Sequence, residues 1–296
     1  MSRSRWTTAD LPDQSGRTFV VTGANSGLGL QATDALTAVG ARVVMACRDT
    51  TRAEQAREGL RFPERAEVVA LDLADLDSVR AAADALAGRR LDVLINNAGL
   101  MNIPEARTPQ GHEMQFGVNV LGHFLLTRLL EPQLIDRVVW LGSIMHRFGS
   151  IDLDDLDWTR RRYVPLTAYA ASKLACVMLA YEQQRRLDSE GSPLTAVAAH
   201  PGYSATNLQF RSGSRVQDLV MHAAERIPML VQPAERGVLP VLYAATVQDV
   251  PGGAYVGPGG PGELTGFPTL VRSSAASRDQ DAAAGLWERC EEMTTR

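Results

Sequence analysis

Tyr169 and Lys173 are the residues whose types and spacing could do chemistry. They lie within residues 167 to 189, a stretch with helical apolar periodicity. Helix positions four apart share one face, so the phenol and the ammonium are expected to be neighbours. A phenol with a reference pKa of about 10 is a poor proton donor or acceptor at neutral pH, and an adjacent ammonium favours its phenolate form. Bringing it down to about 7 takes about 4 kcal/mol of differential stabilisation. The chain has 29 arginines and one lysine, Lys173. Where a positive charge alone is wanted this chain uses arginine, so position 173 asks for an ammonium.

The second candidate is Thr22-Gly-Ala-Asn-Ser-Gly-Leu-Gly29, a turn between an apolar run and a helical pattern. Glycine suits such a turn because it adopts unusual backbone angles and lets a ligand approach closely, while a helix N-terminus offers free N–H groups to a pyrophosphate. A second apolar run begins about 13 residues after Gly29, as in a dinucleotide-binding half-fold. The positively charged nicotinamide of such a ligand would help lower the Tyr169 pKa. After that run comes Ala46-Cys-Arg-Asp49. An acid there accepts hydrogen bonds from a ribose 2'-hydroxyl, and an arginine pairs with a 2'-phosphate. Arg48 comes first after the strand, which favours NADP(H) and leaves NAD(H) possible. The plainer alternative is a solvated Arg48 and an Asp49 that caps the next helix.

The elements that must position these residues alternate regularly. Strands are expected at residues 18–22, 42–46, 68–71, 92–95, 137–141, 194–199 and 254–256. Helical patterns lie between them at about 27–39, 75–87, 116–130, 167–189 and 234–245. This βα alternation implies an α/β fold of Rossmann type, with a doubly wound, mostly parallel seven-stranded sheet and helices on both faces. The Gly/Pro-rich run 251–262 resembles a linker, yet only about 34 residues follow it, too few for a second stable domain. A single domain over 1–296 is expected, with an N-terminal extension at 1–14 and a C-terminal tail at 263–296.

Composition excludes several classes. Apolar residues make up 45% and charged residues 22%, so a fibrous or disordered chain is excluded. A net charge of −4 offers no footprint for nucleic acid or an anionic membrane. No apolar run is long enough to span a bilayer, and the first residues lack the core of a signal peptide. Cys47, Cys176 and Cys290 lie far apart, which fits a reducing cytoplasm. The histidines at 112, 123, 146, 200 and 222 have no paired spacing, so no metal is expected.

Taken together, the turn Thr22–Gly29, Asn96-Asn-Ala-Gly99, Ser143, and Tyr169 with Lys173 resemble the short-chain dehydrogenases and reductases, over roughly residues 15 to 260. Ala46-Cys-Arg-Asp49, residues 114–124 and His200-Pro-Gly202 resemble the branch of retinol dehydrogenases and protochlorophyllide reductases, in particular uncharacterised actinobacterial members. The resemblance implies an oxidoreductase that moves hydride between NADP(H) and a carbonyl or alcohol of an apolar small molecule, as a homodimer or homotetramer. Tyr169 would be the general acid, Ser143 would bind the carbonyl oxygen, and Lys173 would hold the nicotinamide ribose. Asn119 would keep a water in line with Lys173. The cofactor would meet Gly23, Asn25, Ser26, Gly27, Leu28, Gly29, Arg48, Asp72, Leu73, Asn96, Asn97, Ala98, Gly99, Pro201, Gly202 and Thr206, besides Tyr169 and Lys173. Residues 203–232 would form a substrate lid.

Two departures stand out. Gly142 replaces the first of a frequent serine pair, and Trp140 stands where the branch commonly has asparagine. His146 is expected to be structural and Arg160-Arg-Arg162 a solvated loop. Trp158, Tyr163, Tyr203, Phe210, Met221 and Met229 are expected around an apolar pocket mouth. A cofactor-sensing protein without turnover has no need of the intact Ser143, Tyr169 and Lys173. A nucleotide-sugar epimerase or dehydratase shares the Tyr and Lys but usually has a longer C-terminal substrate region.

Overall fold

Strands that read as continuous apolar runs are buried on both faces and form the centre of one sheet. The computed structural model describes residues 5–203 and 233–295. Its strands are β1 (Thr18–Thr22), β2 (Arg42–Cys47), β3 (Ala66–Ala70), β4 (Leu91–Asn96), β5 (Leu134–Leu141), β6 (Thr195–Ala199), β7 (Tyr255–Pro258) and β8 (Pro268–Leu270). They stand in the order β3-β2-β1-β4-β5-β6-β7-β8. All pairings are parallel except β7 with β8. The sheet therefore has eight strands rather than the expected seven. The eighth has three residues, too short to carry an alternation, and comes from the segment expected as a tail.

The helices are α1 (Gly27–Ala38), α2 (Thr50–Glu58), α3 (Leu76–Ala85), α4 (Met114–Phe116), α5 (Gly122–Leu130), α6 (Pro165–Glu190), α7 (Ala234–Gly237), α8 (Leu239–Thr246) and α9 (Gln280–Thr294). One buried cluster joins the sheet to α3, α5, α6 and α9, with Phe124 edge-on to Trp287 at 4.9 Å. The other joins it to α1 and α8, and there Trp6 of the N-terminal extension meets Tyr243 edge-on at 5.3 Å. Strand order reverses between β1 and β4, and the crevice at that point is where open α/β sheets bind ligands.

Trp140 is fully buried in β5 and donates from its indole nitrogen to Gln183 Oε1 on α6 at 2.8 Å. The substituted position thus ties a strand beside the site to the helix that carries Tyr169.

Candidate active site

The turn after β1 is held to the turn after β4 by one hydroxyl. Thr22 Oγ1 accepts from the backbone N–H of Asn97 and of Ala98, each at 2.9 Å, and Asn97 Nδ2 donates to Thr22 O at 2.8 Å. Gly23 has a positive φ of 65° and donates to Ala46 O at 2.8 Å. Gly29 sits against this turn so closely that a Cβ would lie 2.7 Å from Asn97 Nδ2 and 3.0 Å from Ala24 Cα. Helix α1 therefore starts directly on the turn. Its N-cap, Ser26, makes no side-chain cap bond, which leaves the first N–H groups of α1 without a side-chain partner from that residue.

The same hydroxyl reaches a histidine. Thr22 Oγ1 lies 2.8 Å from Nε2 of His123, whose Nδ1 lies 3.1 Å from the backbone oxygen of Asn119. With two donors already on Thr22 Oγ1, its own hydrogen goes to Nε2, so His123 donates from Nδ1 to Asn119 O. Burial holds this imidazole neutral, with its pKa down at about 3. Asn119 sits in a π-turn, Gly117–Leu121, between α4 and α5. Its Oδ1 accepts from Leu100 N at 2.8 Å, while Nδ2 donates to Leu100 O at 3.0 Å and to Ser172 Oγ at 2.9 Å.

Strand β5 ends at Leu141, and Ser143 opens the 3-10 turn Ile144–Phe148, accepting from Met145 N at 3.2 Å. The Ser143 hydroxyl sits beside the phenol of Tyr169, which is 4% exposed in the first half of α6, close enough to draw its pKa down. One turn further on, Lys173 Nζ donates to Leu141 O at 2.8 Å. The structure thus brings Asn119, Ser143, Tyr169 and Lys173 together. It departs from the expected acidity of the phenol. Burial pushes the Tyr169 pKa up to about 12 against the opposing pull of the Ser143 hydroxyl, and the ammonium is engaged with a backbone carbonyl instead. Burial also lowers the Lys173 pKa from its ordinary value.

On the expected cofactor side the residues divide. Asp49 is the N-cap of α2 and accepts from Arg52 N at 2.9 Å, while Arg48 is exposed. Asp72 accepts from Ala74 N at 3.0 Å, and Leu73 is buried against Gly122. Leu28 is also buried and can offer a ligand only its backbone, whereas Asn25, Ser26 and Gly27 are half-buried at the turn. Asn96 is buried and donates to Thr127 Oγ1 on α5 at 2.8 Å. A Cβ on Gly99 would stand 3.2 Å from Asn119 Oδ1 and 3.5 Å from Lys173 Nζ, so this glycine leaves a cradle open beside both. A dinucleotide fits such a set, with a helix N-terminus for its pyrophosphate, a bare backbone at Gly99 and an ammonium beside it. Pro201 and Gly202 follow β6, whereas Thr206, Phe210, Met221, Met229 and the rest of 204–232 lie outside the described residues.

Trp158 and Tyr163 prove to be packing residues rather than a pocket mouth. Trp158 is buried against Ala168 and Ala171 of α6 and edge-on to Tyr163 at 5.8 Å. The Tyr163 hydroxyl donates to Glu113 Oε1 at 3.0 Å and accepts from Gln115 Nε2 at 2.8 Å. Glu113, fully buried as the N-cap of α4, braces this network, and no sequence spacing marked it. Arg160 and Arg162 are exposed as expected, while Arg161 stacks on Trp158 at 3.8 Å. His146 is fully buried and donates from Nδ1 to Ser143 O at 2.7 Å, which is a structural role.

Residues 17–216 match the model of the short chain dehydrogenase family. The chain belongs to this family. It is 39% identical to human retinol dehydrogenase 13 over 288 residues, covering 92% of this chain and 82% of that one. A crystal structure of an uncharacterised protein from Mycobacterium paratuberculosis is 46% identical, covers 99% of this chain and 98% of that chain, and superposes with a TM-score of 0.85. A protein from Beutenbergia cavernae, with NADP bound at low occupancy, is 27% identical over 79% of this chain and 91% of that chain, with a TM-score of 0.58. This short-chain dehydrogenase is an NAD(P)-dependent oxidoreductase of alcohol and carbonyl groups. No helix among its described residues is long and apolar enough to cross a membrane.

Proposed function

We propose that this short-chain dehydrogenase is an NADP(H)-preferring enzyme that reduces a carbonyl of an apolar small molecule, or oxidises the corresponding alcohol. The observation that carries the chemistry is the Ser143 hydroxyl beside the Tyr169 phenol, with Lys173 one helical turn further along α6. In the reductive direction the hydride for the carbonyl carbon would come from NADPH when it is bound. Ser143 donates to the carbonyl oxygen, where negative charge develops, and Tyr169 gives that oxygen its proton. Burial, which raises the pKa of this phenol to about 12, keeps it protonated before the reduction and at the same time weakens it as an acid. Lys173 and Gly99 form the ribose side of the cradle, and Asn119 supports Lys173 from the π-turn.

Support for NADP comes from Asp49, whose carboxylate is spent as a helix cap while the Arg48 guanidinium stays exposed. Support for an apolar substrate comes from Phe148, Val164 and Leu166, which are exposed on the segments that carry Ser143 and Tyr169. A retinol dehydrogenase and a polyprenol dehydrogenase among the relatives point the same way. The family resemblance extends the reading to a homodimer or homotetramer in the cytoplasm.

The test is Tyr169→Phe, assayed with NADPH and a panel of ketones, aldehydes and quinones. Turnover is expected to fall by about 100- to 10,000-fold, as on loss of a general acid, with NADPH binding retained. Near-wild-type turnover in the variant would end the mechanism.

A further inference from the structure

Arg147, His200 and Glu263 form a cluster behind the site, joined by one carboxylate. Glu263 Oε1 accepts from Arg147 Nη2 at 2.8 Å, and Oε2 lies 3.2 Å from His200 Nε2. Arg147 belongs to the turn Ile144–Phe148 that Ser143 opens. His200 is fully buried at the end of β6 and directly precedes Pro201 and Gly202. Its Nδ1 accepts from Gly202 N at 3.3 Å, so Nε2 carries the hydrogen and needs an acceptor, which Glu263 supplies.

The segment around Glu263 grips the same loop by its backbone. Tyr203 N donates to Leu264 O at 2.8 Å, and Gly202, with φ 70°, lies so close to Leu264 O and to Pro258 that a Cβ would stand 2.8 Å from Pro258 Cγ. Glu263 itself adopts a left-handed φ of 59°, a conformation that persists in a non-glycine residue only where the surroundings hold it. Arg147 Nη2 also donates to Arg272 O at 2.8 Å, which ties the Ser143 turn to the residues after β8.

We propose that Glu263 is a positioning residue for hydride transfer, its carboxylate setting the Pro201–Gly202 loop on the nicotinamide side against the Ser143 turn on the carbonyl side. This rests on the role proposed above for Ser143 and on the expectation that Pro201 and Gly202 meet the cofactor, here at its nicotinamide. Both loops must be in register when hydride moves, and a misplacement of about 1 Å can cost about 100-fold in rate. The device needs a carboxylate in particular. Its two partners, Arg147 Nη2 and His200 Nε2, both donate, and a glutamine presents one acceptor and one donor, so it satisfies one of them and opposes the other.

The experiment compares wild type, Glu263→Gln and Arg147→Met as full-length proteins, with NADPH as the binding probe and retinal as the carbonyl probe. NADPH affinity is read by nicotinamide fluorescence, turnover by absorbance, and amide exchange at Gly202, Tyr203 and residues 144–148 by mass spectrometry. In both variants kcat is expected to fall about 10- to 100-fold with KM and NADPH affinity within about threefold of wild type, the pattern of an interaction needed in the transition state. Exchange at Gly202 and Tyr203 is expected to rise about tenfold or more as the clamp opens. Unchanged exchange overturns the proposal even if retinal is not a substrate, and faster exchange with unchanged kcat overturns the positioning role. A wild type that fails to bind NADPH overturns the functional reading instead, and the exchange readout still decides the clamp.

Discussion

Lys173 Nζ donates to the backbone oxygen of Leu141 at 2.8 Å, which anchors the chain's one lysine to the end of β5, two residues before Ser143. The ammonium is thus fixed by the sheet rather than by the phenol on its own helix. Its surroundings leave little room, since Lys173 is 4% exposed and the Gly99 cradle beside it is also bounded by Asn119 Oδ1.

Lys173→Arg keeps the charge and loses the function. A planar guanidinium with five donors cannot enter a slot shaped for a compact ammonium without displacing Leu141 or Asn119. Turnover is expected to drop by about 100-fold or more, comparable to loss of acid–base assistance. Steady-state assays of purified variant and wild type decide it, and activity within about threefold of wild type would show that charge alone is required at 173.

Three buried histidines make the fold sensitive to acid. Burial lowers the pKa of His123 to about 3, of His146 to about 4, and of His200 below its ordinary value of 6.5. Each folded-state pKa lies below the unfolded one, so between pH 6.5 and about 4 the unfolded chain binds more protons. The stability these rings contribute is present above pH 6.5 and is lost as pH falls through that window. His123 and His146 each contribute up to about 1.4 kcal/mol per pH unit there. In His146→Gln the slope of unfolding free energy against pH should flatten by up to that amount. Urea unfolding at a series of pH values measures it, and an unchanged slope would rule out His146 as a contributor.

The strands were legible because burial on both faces leaves an uninterrupted apolar run: Thr18–Thr22 and Arg42–Cys47 lie where periodicity puts them, within a residue. What escaped has a physical reason in each case. The π-turn at Gly117–Leu121 keeps the apolar character of the helix around it, so nothing in the pattern separates it from α4 and α5. The Thr22–His123 and His200–Glu263 contacts join residues 101 and 63 positions apart, and no local signal pairs them. Tyr169 and Lys173 were readable since helical spacing brings them together, yet spacing is blind to the carbonyl of Leu141, which takes the ammonium.

Gly29→Ala should damage both the fold and the cofactor site. The added methyl would meet Asn97 Nδ2 at 2.7 Å and Ala24 Cα at 3.0 Å, so α1 must lift from the turn that its N-terminus completes. Overpacking of this kind costs about 1 to 3 kcal/mol. NADPH affinity is expected to fall about tenfold or more, because the pyrophosphate loses aligned N–H donors. If the urea midpoint and the NADPH titration both match wild type, the close packing at Gly29 has no consequence.

Cofactor choice turns on two adjacent residues of opposite charge. An inward Asp49 carboxylate would accept a bare 2'-hydroxyl and repel a 2'-phosphate, favouring NADH, but it is held 2.9 Å from Arg52 N as the cap of α2. Freeing it would leave that helix N-terminus without its cap, at a cost of about 1 kcal/mol. Arg48 is exposed beside it, and a charge-assisted bond from its guanidinium to the phosphate is worth about 1.5 to 3 kcal/mol, or roughly 10- to 100-fold in affinity. Arg48→Ala should therefore weaken NADPH binding by roughly that factor and leave NADH binding nearly as it was, so that the two affinities converge. Asp49→Ala should instead lower helix stability without raising NADH affinity. Fluorescence titrations of both cofactors against wild type and the two variants distinguish these outcomes, and an unchanged NADPH to NADH ratio in Arg48→Ala would show that Arg48 does not read the phosphate.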